Sequence, residues 1–262
     1  MNKEAKLGVL VWGVIGFLVV GAVAVYSARP VPPAVDEATR CPLDRPPPAQ
    51  TFILVDKTDP FTAPQNALLA RRIATEARRI PRHGQIRIAV LERALDERWV
   101  ACNPGRREDV NVWIENPLWV EQAFEERFGG PLDSLLIDLQ QGTVAPQSPI
   151  LESIQALARG FDPATLDKRL IVFSDLLENN GAYSQYRDPL SFGAWLERAG
   201  DALAALRGVE VEVVYLKRDN GRRIQTQPAH RGFWLDYFQA SGAAAVDWNA
   251  EGLIQGNAWV GR

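Results

Sequence analysis

Three stretches carry the residue types from which a binding or catalytic centre could be built. They are Asp56-Lys57-Thr58-Asp59-Pro60-Phe61-Thr62, Gln147-Ser148-Pro149 and Ser174-Asp175-Leu176-Leu177-Glu178. Their carboxylates and hydroxyls are hard oxygen donors. A few such donors, completed by water, suit Mg²⁺ or Ca²⁺ and do not select zinc or copper. Histidine chemistry is excluded by numbers, because the chain has only His83 and His230. His230 is read as a helix-start residue. Two cysteines are too few for a Cys-rich zinc module. There is no G-x-S-x-G, H-E-x-x-H, P-loop or G-x-G-x-x-G pattern. The formal charge of -3 and pI near 5.6 argue against a nucleic-acid partner.

Elements that could position these groups follow from the apolar pattern. Thr51–Val55 is a short unbroken apolar run and reads as a buried strand; Leu170–Phe173 has no polar alternation and reads as buried on both faces. Further strands are expected at 86–91, 98–102, 209–216 and 244–248, the second a hairpin partner of the first. Helices are expected at 63–80, 117–128, 132–139, 150–159, 192–206 and 231–240, with Gly129-Gly130-Pro131 as a break and Ser148-Pro149 as the start of the fourth. Arg71, Arg72, Arg78 and Arg79 read as a solvated helix face. Glu178 reads as loop surface, and Lys57 as a partner of Asp59.

Alternating strands and helices with one early hairpin predict an α/β fold. The sheet should be doubly wound and mainly parallel, with helices on both faces and one antiparallel edge strand. In such sheets ligands sit beyond the C-terminal strand ends, where the strand order reverses. Taken singly, Asp56, Ser148 and Asp175 are ordinary caps and turn closers. Three of them converging on one switch point indicate a site.

Ahead of this domain lies an apolar run. Leu7–Tyr26 holds twenty residues without a charge. At about 1.5 Å per residue a helix of that length spans roughly 30 Å, the hydrocarbon thickness of a bilayer. The reading is a single transmembrane helix. The alternative is a cleaved signal peptide with Ala22-Val23-Ala24 at its exit. Lys3 and Lys6 precede the run, which places the N-terminus in the cytoplasm. Arginine is abundant and lysine scarce, which points to a GC-rich bacterium. The domain would then be periplasmic, held to the inner membrane by a single-pass anchor. The expected divisions are a cytoplasmic stub and anchor (1–29), a Pro-rich linker (30–50) and the globular domain (51–262). Within the linker, Cys41 is expected to pair with Cys102, as an oxidising compartment favours; two unrelated thiols are the alternative.

The order and spacing of these groups resemble the von Willebrand factor A (VWA) domain and its metal-ion-dependent adhesion site. That family has Asp-x-Ser-x-Ser after its first strand, a Thr before a helix and an Asp after its fourth strand. Asp56 matches the first carboxylate, Thr58 the first hydroxyl, Ser148 the Thr and Asp175 the last Asp, over roughly residues 48 to 250. Two positions depart from the pattern. Pro60 has no hydroxyl at the fifth position of the first motif, and Leu176 replaces the usual glycine after the last Asp. The resemblance implies a VWA-like binding or scaffolding module, not an enzyme. Asp56, Thr58 and Ser148 would hold Mg²⁺ (or Mn²⁺ or Ca²⁺) directly, and Asp175 directly or through water. Asp59 and Thr62 are additional candidates. An acidic side chain of a protein partner would complete the metal shell. The alternatives are a metal-dependent phosphoesterase-like enzyme and a structural envelope component with a dead site.

Overall fold

The computed structural model describes residues 3–27, 33–112, 115–139, 144–199 and 202–249, apart from the side chains of residues 3–11 and 25. The chain divides into two units, Met1–Ala34 and Val35–Arg262.

The first unit is one helix, α1 (Lys3–Ser27). Trp12, Phe17 and Val20 are exposed on it. Among the described residues no helix is long and apolar enough to cross a membrane. The expected span at 7–26 lies only partly within the residues whose side chains are described.

The second unit is built on a six-stranded sheet of order β3-β2-β1-β4-β5-β6. Its strands are β1 (Ala49–Asp56), β2 (Gln85–Leu91), β3 (Leu95–Cys102), β4 (Asp167–Ser174), β5 (Val209–Tyr215) and β6 (Ala245–Asn249). All neighbours run parallel except β2 and β3. Every residue of β1 is buried, because helices cover both faces of the central strands. Phe52 and Leu54 point into one apolar layer with α5 (Ile150–Ala158), α6 (Phe192–Ala199) and α8 (Pro228–Ala240). Ile53 and Val55 point into the other with α2 (Ala63–Arg79) and α4 (Gly130–Asp138).

Several boundaries differ from expectation for identifiable reasons. β3 begins at Leu95, earlier than residue 98. Its Asp96, Glu97 and Arg98 are exposed on an edge strand, so no apolar pattern marks them. The expected break at Gly129-Gly130-Pro131 is absent. α3 (Pro117–Phe124) runs into a single π turn (Glu125–Gly129) and on into α4. Proline removes one N–H and crowds the preceding turn. The wider turn, with Gly130 N–H bonded to Glu125 O, takes up that mismatch. α6 stops at Ala199, not 206, and a short α7 (Arg222–Gln225) precedes α8.

The Pro-rich stretch is tied down from Val35 onward. Val35 pairs with Pro42, Thr39 O accepts from Cys102 N at 2.7 Å, and Cys41 is joined to Cys102 by a disulfide. Thr165 Oγ1 donates to Pro47 O at 2.9 Å. Of the arginines on α2, Arg72 is not simply solvated. It pairs with the buried Glu76 and Glu212, to which Arg169 also reaches from β4.

Candidate functional site

The strand order reverses between β1 and β4. Chain from β1 passes to β2 on one side, while β4 leads to β5 on the other. Val55 is in register with Phe173, so Asp56 and Ser174 end their strands side by side. The crevice beyond these ends is where an open parallel sheet binds ligands.

Asp56 lies at the centre of the polar cluster there. Its Oδ1 accepts from Thr58 N at 3.1 Å and Thr58 Oγ1 at 2.7 Å. Its Oδ2 accepts from Ser174 Oγ at 2.6 Å and Ser148 Oγ at 3.4 Å. Thr58 Oγ1 and Ser148 Oγ are 3.2 Å apart. Asp175 follows β4; its Oδ1 accepts from Leu177 N at 2.9 Å. The structure thus brings together Asp56, Thr58, Ser148 and Asp175 and adds Ser174, which belongs to the third polar stretch but is not among the expected ligands.

Ser148 is available to this cluster because another residue caps the adjacent helix. The N-cap of α5 is Pro149, which has no capping side chain. Glu178 takes over that task, its Oε2 accepting from Leu151 N at 2.8 Å. The expectation that Glu178 is loop surface is therefore corrected: it is fully buried. A carboxyl oxygen at a helix N-terminus satisfies one of its free N–H groups.

Two other expectations are corrected. Lys57 does not pair with Asp59. It is fully buried, donates to Leu139 O and lies over the Phe61 ring, 4.6 Å from its centroid. Thr62 does not join the cluster. It caps α2, accepting from Gln65 N at 3.3 Å while its own N–H donates to Gln65 Oε1 at 3.0 Å. Asp59 does line the cleft over the cluster, which encloses about 50 Å³ together with Thr58, Ser148, Asp175, Asn179 and Tyr186.

A residue the sequence reading missed completes the site. Arg218, just past β5, is 2% exposed and its Nε lies 3.4 Å from Asp175 Oδ2. The rest of its guanidinium donates to Pro60 O at 2.7 Å, Asp59 O at 3.3 Å and Gln65 Oε1 at 3.4 Å. One arginine in the run Lys217-Arg218-Asp219 carries no pattern that marks it in advance.

Burial dominates the electrostatics. It raises Asp56, partly offset by the hydrogen bonds from Ser174 and Thr58 and by Arg218. Burial first, and then the charge of Asp56, push Asp175 up to about 7 despite Arg218. The Tyr186 hydroxyl is pushed up to about 12 by burial and then by Asp175, Asp59 and Asp56. Two carboxylates enclosed so closely are electrostatically short of positive charge.

Leu176 occupies the position where the adhesion-site pattern has glycine, and its φ is +57°. That is the left-handed region, which costs a non-glycine residue roughly 1–2 kcal/mol. The turn is held by Ser174 Oγ, which accepts from Leu176 N at 2.8 Å, and by Trp234 Nε1, which donates to Leu176 O at 2.8 Å. These two bonds hold the left-handed turn that directly follows Asp175.

Among the described residues no three His, Cys, Asp or Glu side chains cluster as metal ligands. The donors here are two carboxylates and neutral hydroxyls instead. Thr58 Oγ1 stands 2.7 Å from Asp56 Oδ1 and 3.2 Å from Ser148 Oγ. Ligands about 2.1 Å from an octahedral Mg²⁺ lie roughly 3.0 Å from one another along an edge. Asp56, Thr58 and Ser148 are therefore the residues that could hold a small hard dication.

No family model matches the chain, and no curated protein does. Solved structures similar to it include two bacterial proteins. One is a conserved hypothetical protein, BatB, from Bacteroides thetaiotaomicron. It is 13% identical, with 76% of this chain and 89% of that one covered and a TM-score of 0.41. The other is an aerotolerance-related membrane protein from Bacteroides fragilis NCTC 9343 with multiple mutations to serines. It is 12% identical, with 78% and 92% covered and a TM-score of 0.38.

Proposed function

We propose that this chain is a membrane-tethered, VWA-like binding module whose crevice holds Mg²⁺ or Mn²⁺ and docks an acidic side chain of a protein partner. The observation that carries the reading is the convergence of Asp56, Thr58, Ser148 and Asp175 at the reversal of strand order. Asp56, Thr58 and Ser148 would hold the ion, with Asp175 close by. Bound there, it would act as a Lewis acid toward a ligand carboxylate. Ser174 orients Asp56, and Glu178 caps α5 so that the Ser148 hydroxyl faces the crevice. Thr58 and Ser148 are neutral donors, so only the carboxylates and Arg218 would set the charge left for a ligand. The tether would be the apolar run 7–26, which lies within α1, with the domain outside the inner membrane of a bacterium.

The test is calorimetric titration of the full chain in detergent with Mn²⁺ and Mg²⁺. Binding is expected, weakened at least tenfold by Asp56→Ala and by Asp175→Ala and unchanged by Asp133→Ala on the exposed side of α4. Thr58→Ala and Ser148→Ala should weaken it less, since water can replace one hydroxyl. A wild-type chain that binds neither ion at millimolar concentration refutes the metal reading.

A further inference from the structure

The crevice already contains a cation. Arg218 enters from the chain after β5 and crosses behind Asp175 to the loop that follows β1. Its guanidinium contacts Asp175 Oδ2, the carbonyls of Asp59 and Pro60 and the side chain of Gln65. Its face lies 5.4 Å from the Phe61 ring centroid. Its own backbone N–H donates to Gln225 Oε1 at 2.8 Å, while Gln225 Nε2 donates to Asp175 O at 3.0 Å. The side chain is thus fixed from five directions, and it is too deeply buried to meet a partner itself.

Its effect on the site is one of charge. Asp56, Asp175 and the cleft-lining Asp59 are the negative groups that would face a dication, and Arg218 beside Asp175 offsets one of their charges. An ion there is held by one negative charge fewer than the carboxylates alone would give, which a carboxylate from outside would restore. Pro60 fits the same arrangement. The residue that lacks the fifth-position hydroxyl supplies a backbone carbonyl to Arg218 instead.

We propose that Arg218 is the resident cation of this crevice: a positioning residue that holds Asp175 and the 59–60 backbone in place without metal, and that keeps metal affinity low so that ion and partner carboxylate bind together. This rests on reading the crevice as a metal site. Charge near a bound ion is weakly screened when buried, so it acts strongly on affinity.

The experiment compares the full-length wild type with Arg218→Gln and Arg218→Lys in detergent. Mn²⁺ affinity is read by calorimetry and thermal stability by circular dichroism, with and without Mn²⁺. Arg218→Gln should be less stable without metal, yet bind Mn²⁺ at least tenfold more tightly and gain more stability from it than wild type does. Arg218→Lys, which keeps the charge but not the fork that reaches two carbonyls, should bind within about threefold of wild type. Metal binding by Arg218→Gln alone, with none by wild type, would refute the metal reading of the native chain and this proposal with it. An Arg218→Gln protein that folds and binds Mn²⁺ no more tightly than a binding wild type overturns this inference and leaves the metal reading standing. If neither protein binds, both readings fall. Should Arg218→Gln not fold, Arg218→Lys decides: affinity near that of wild type supports the role of charge, and a tenfold loss overturns it.

Discussion

Glu178→Gln should stabilise this protein, and the gain should depend on pH. Glu178 is fully buried; its Oε2 accepts from Leu151 N, and its Oε1 has no hydrogen-bond partner. Burial pushes its carboxyl from an ordinary value of 4.5 up to about 8. Below pH 4.5 the group is protonated whether the chain is folded or not, so it contributes no pH dependence. As pH rises from 4.5 to 8 the unfolded chain releases the proton while the folded one keeps it. Stability must then fall by up to about 1.4 kcal/mol per pH unit. Between pH 4.5 and 7 that amounts to about 3 kcal/mol. Glutamine keeps an acceptor for Leu151 N and has no proton to lose. Its amide meets the same unpartnered space as the protonated carboxyl, so that cost cancels. Thermal unfolding should therefore give nearly equal midpoints at pH 4. At pH 7 the glutamine variant should melt about 6–12 °C higher, taking 2–4 °C per kcal/mol for a domain of this size. A gain of equal size at both pH values, or a variant less stable at pH 7, refutes the reasoning.

Two further outcomes are expected. Cys41→Ser with Cys102→Ser should destabilise the domain by about 4 kcal/mol in the chain-entropy model, because the disulfide closes a loop with a sequence separation of 61. Denaturant titration with and without reductant checks this; identical curves for wild type and variant would exclude it. An alkaline phosphatase fused after Val55 should be active in a bacterial host and a cytoplasmic reporter silent; the reverse pattern would refute the proposed orientation.

The parts of this fold legible in the sequence are those where one physical force acts alone. β1 and β4 are covered on both faces, so unbroken apolar runs announce them. Their polar exits then mark the crevice, which makes Asp56, Thr58, Ser148 and Asp175 legible from the sequence. β3 carries exposed charges on an edge strand and reads only at its buried end. The helix through Gly129-Gly130-Pro131 was hidden because local propensity says break, while Phe128 and Leu132, buried on either side, hold both halves against the sheet.

The remaining errors share one cause: each concerns a polar group whose role depends on what another polar group is already doing. Ser148 was read as the cap of α5, and Glu178 as surface. The two roles are linked, because Glu178 caps the helix and Ser148 turns to Asp56. Thr62 looked free to join the cluster, but the first turn of α2 claims it. Lys57 and Arg218 are the sharpest case. By chain position Lys57 is the cation nearest the carboxylates, yet its Nζ goes to Leu139 O, and the charge beside Asp175 comes from Arg218, past the end of the neighbouring strand β5. Spacing along the chain can predict which side chains reach the end of a strand. It cannot assign partners among them, because each buried donor or acceptor must be satisfied by some group, and that choice is settled jointly by elements far apart in the chain, Ser148 and Asp56 being 92 residues apart.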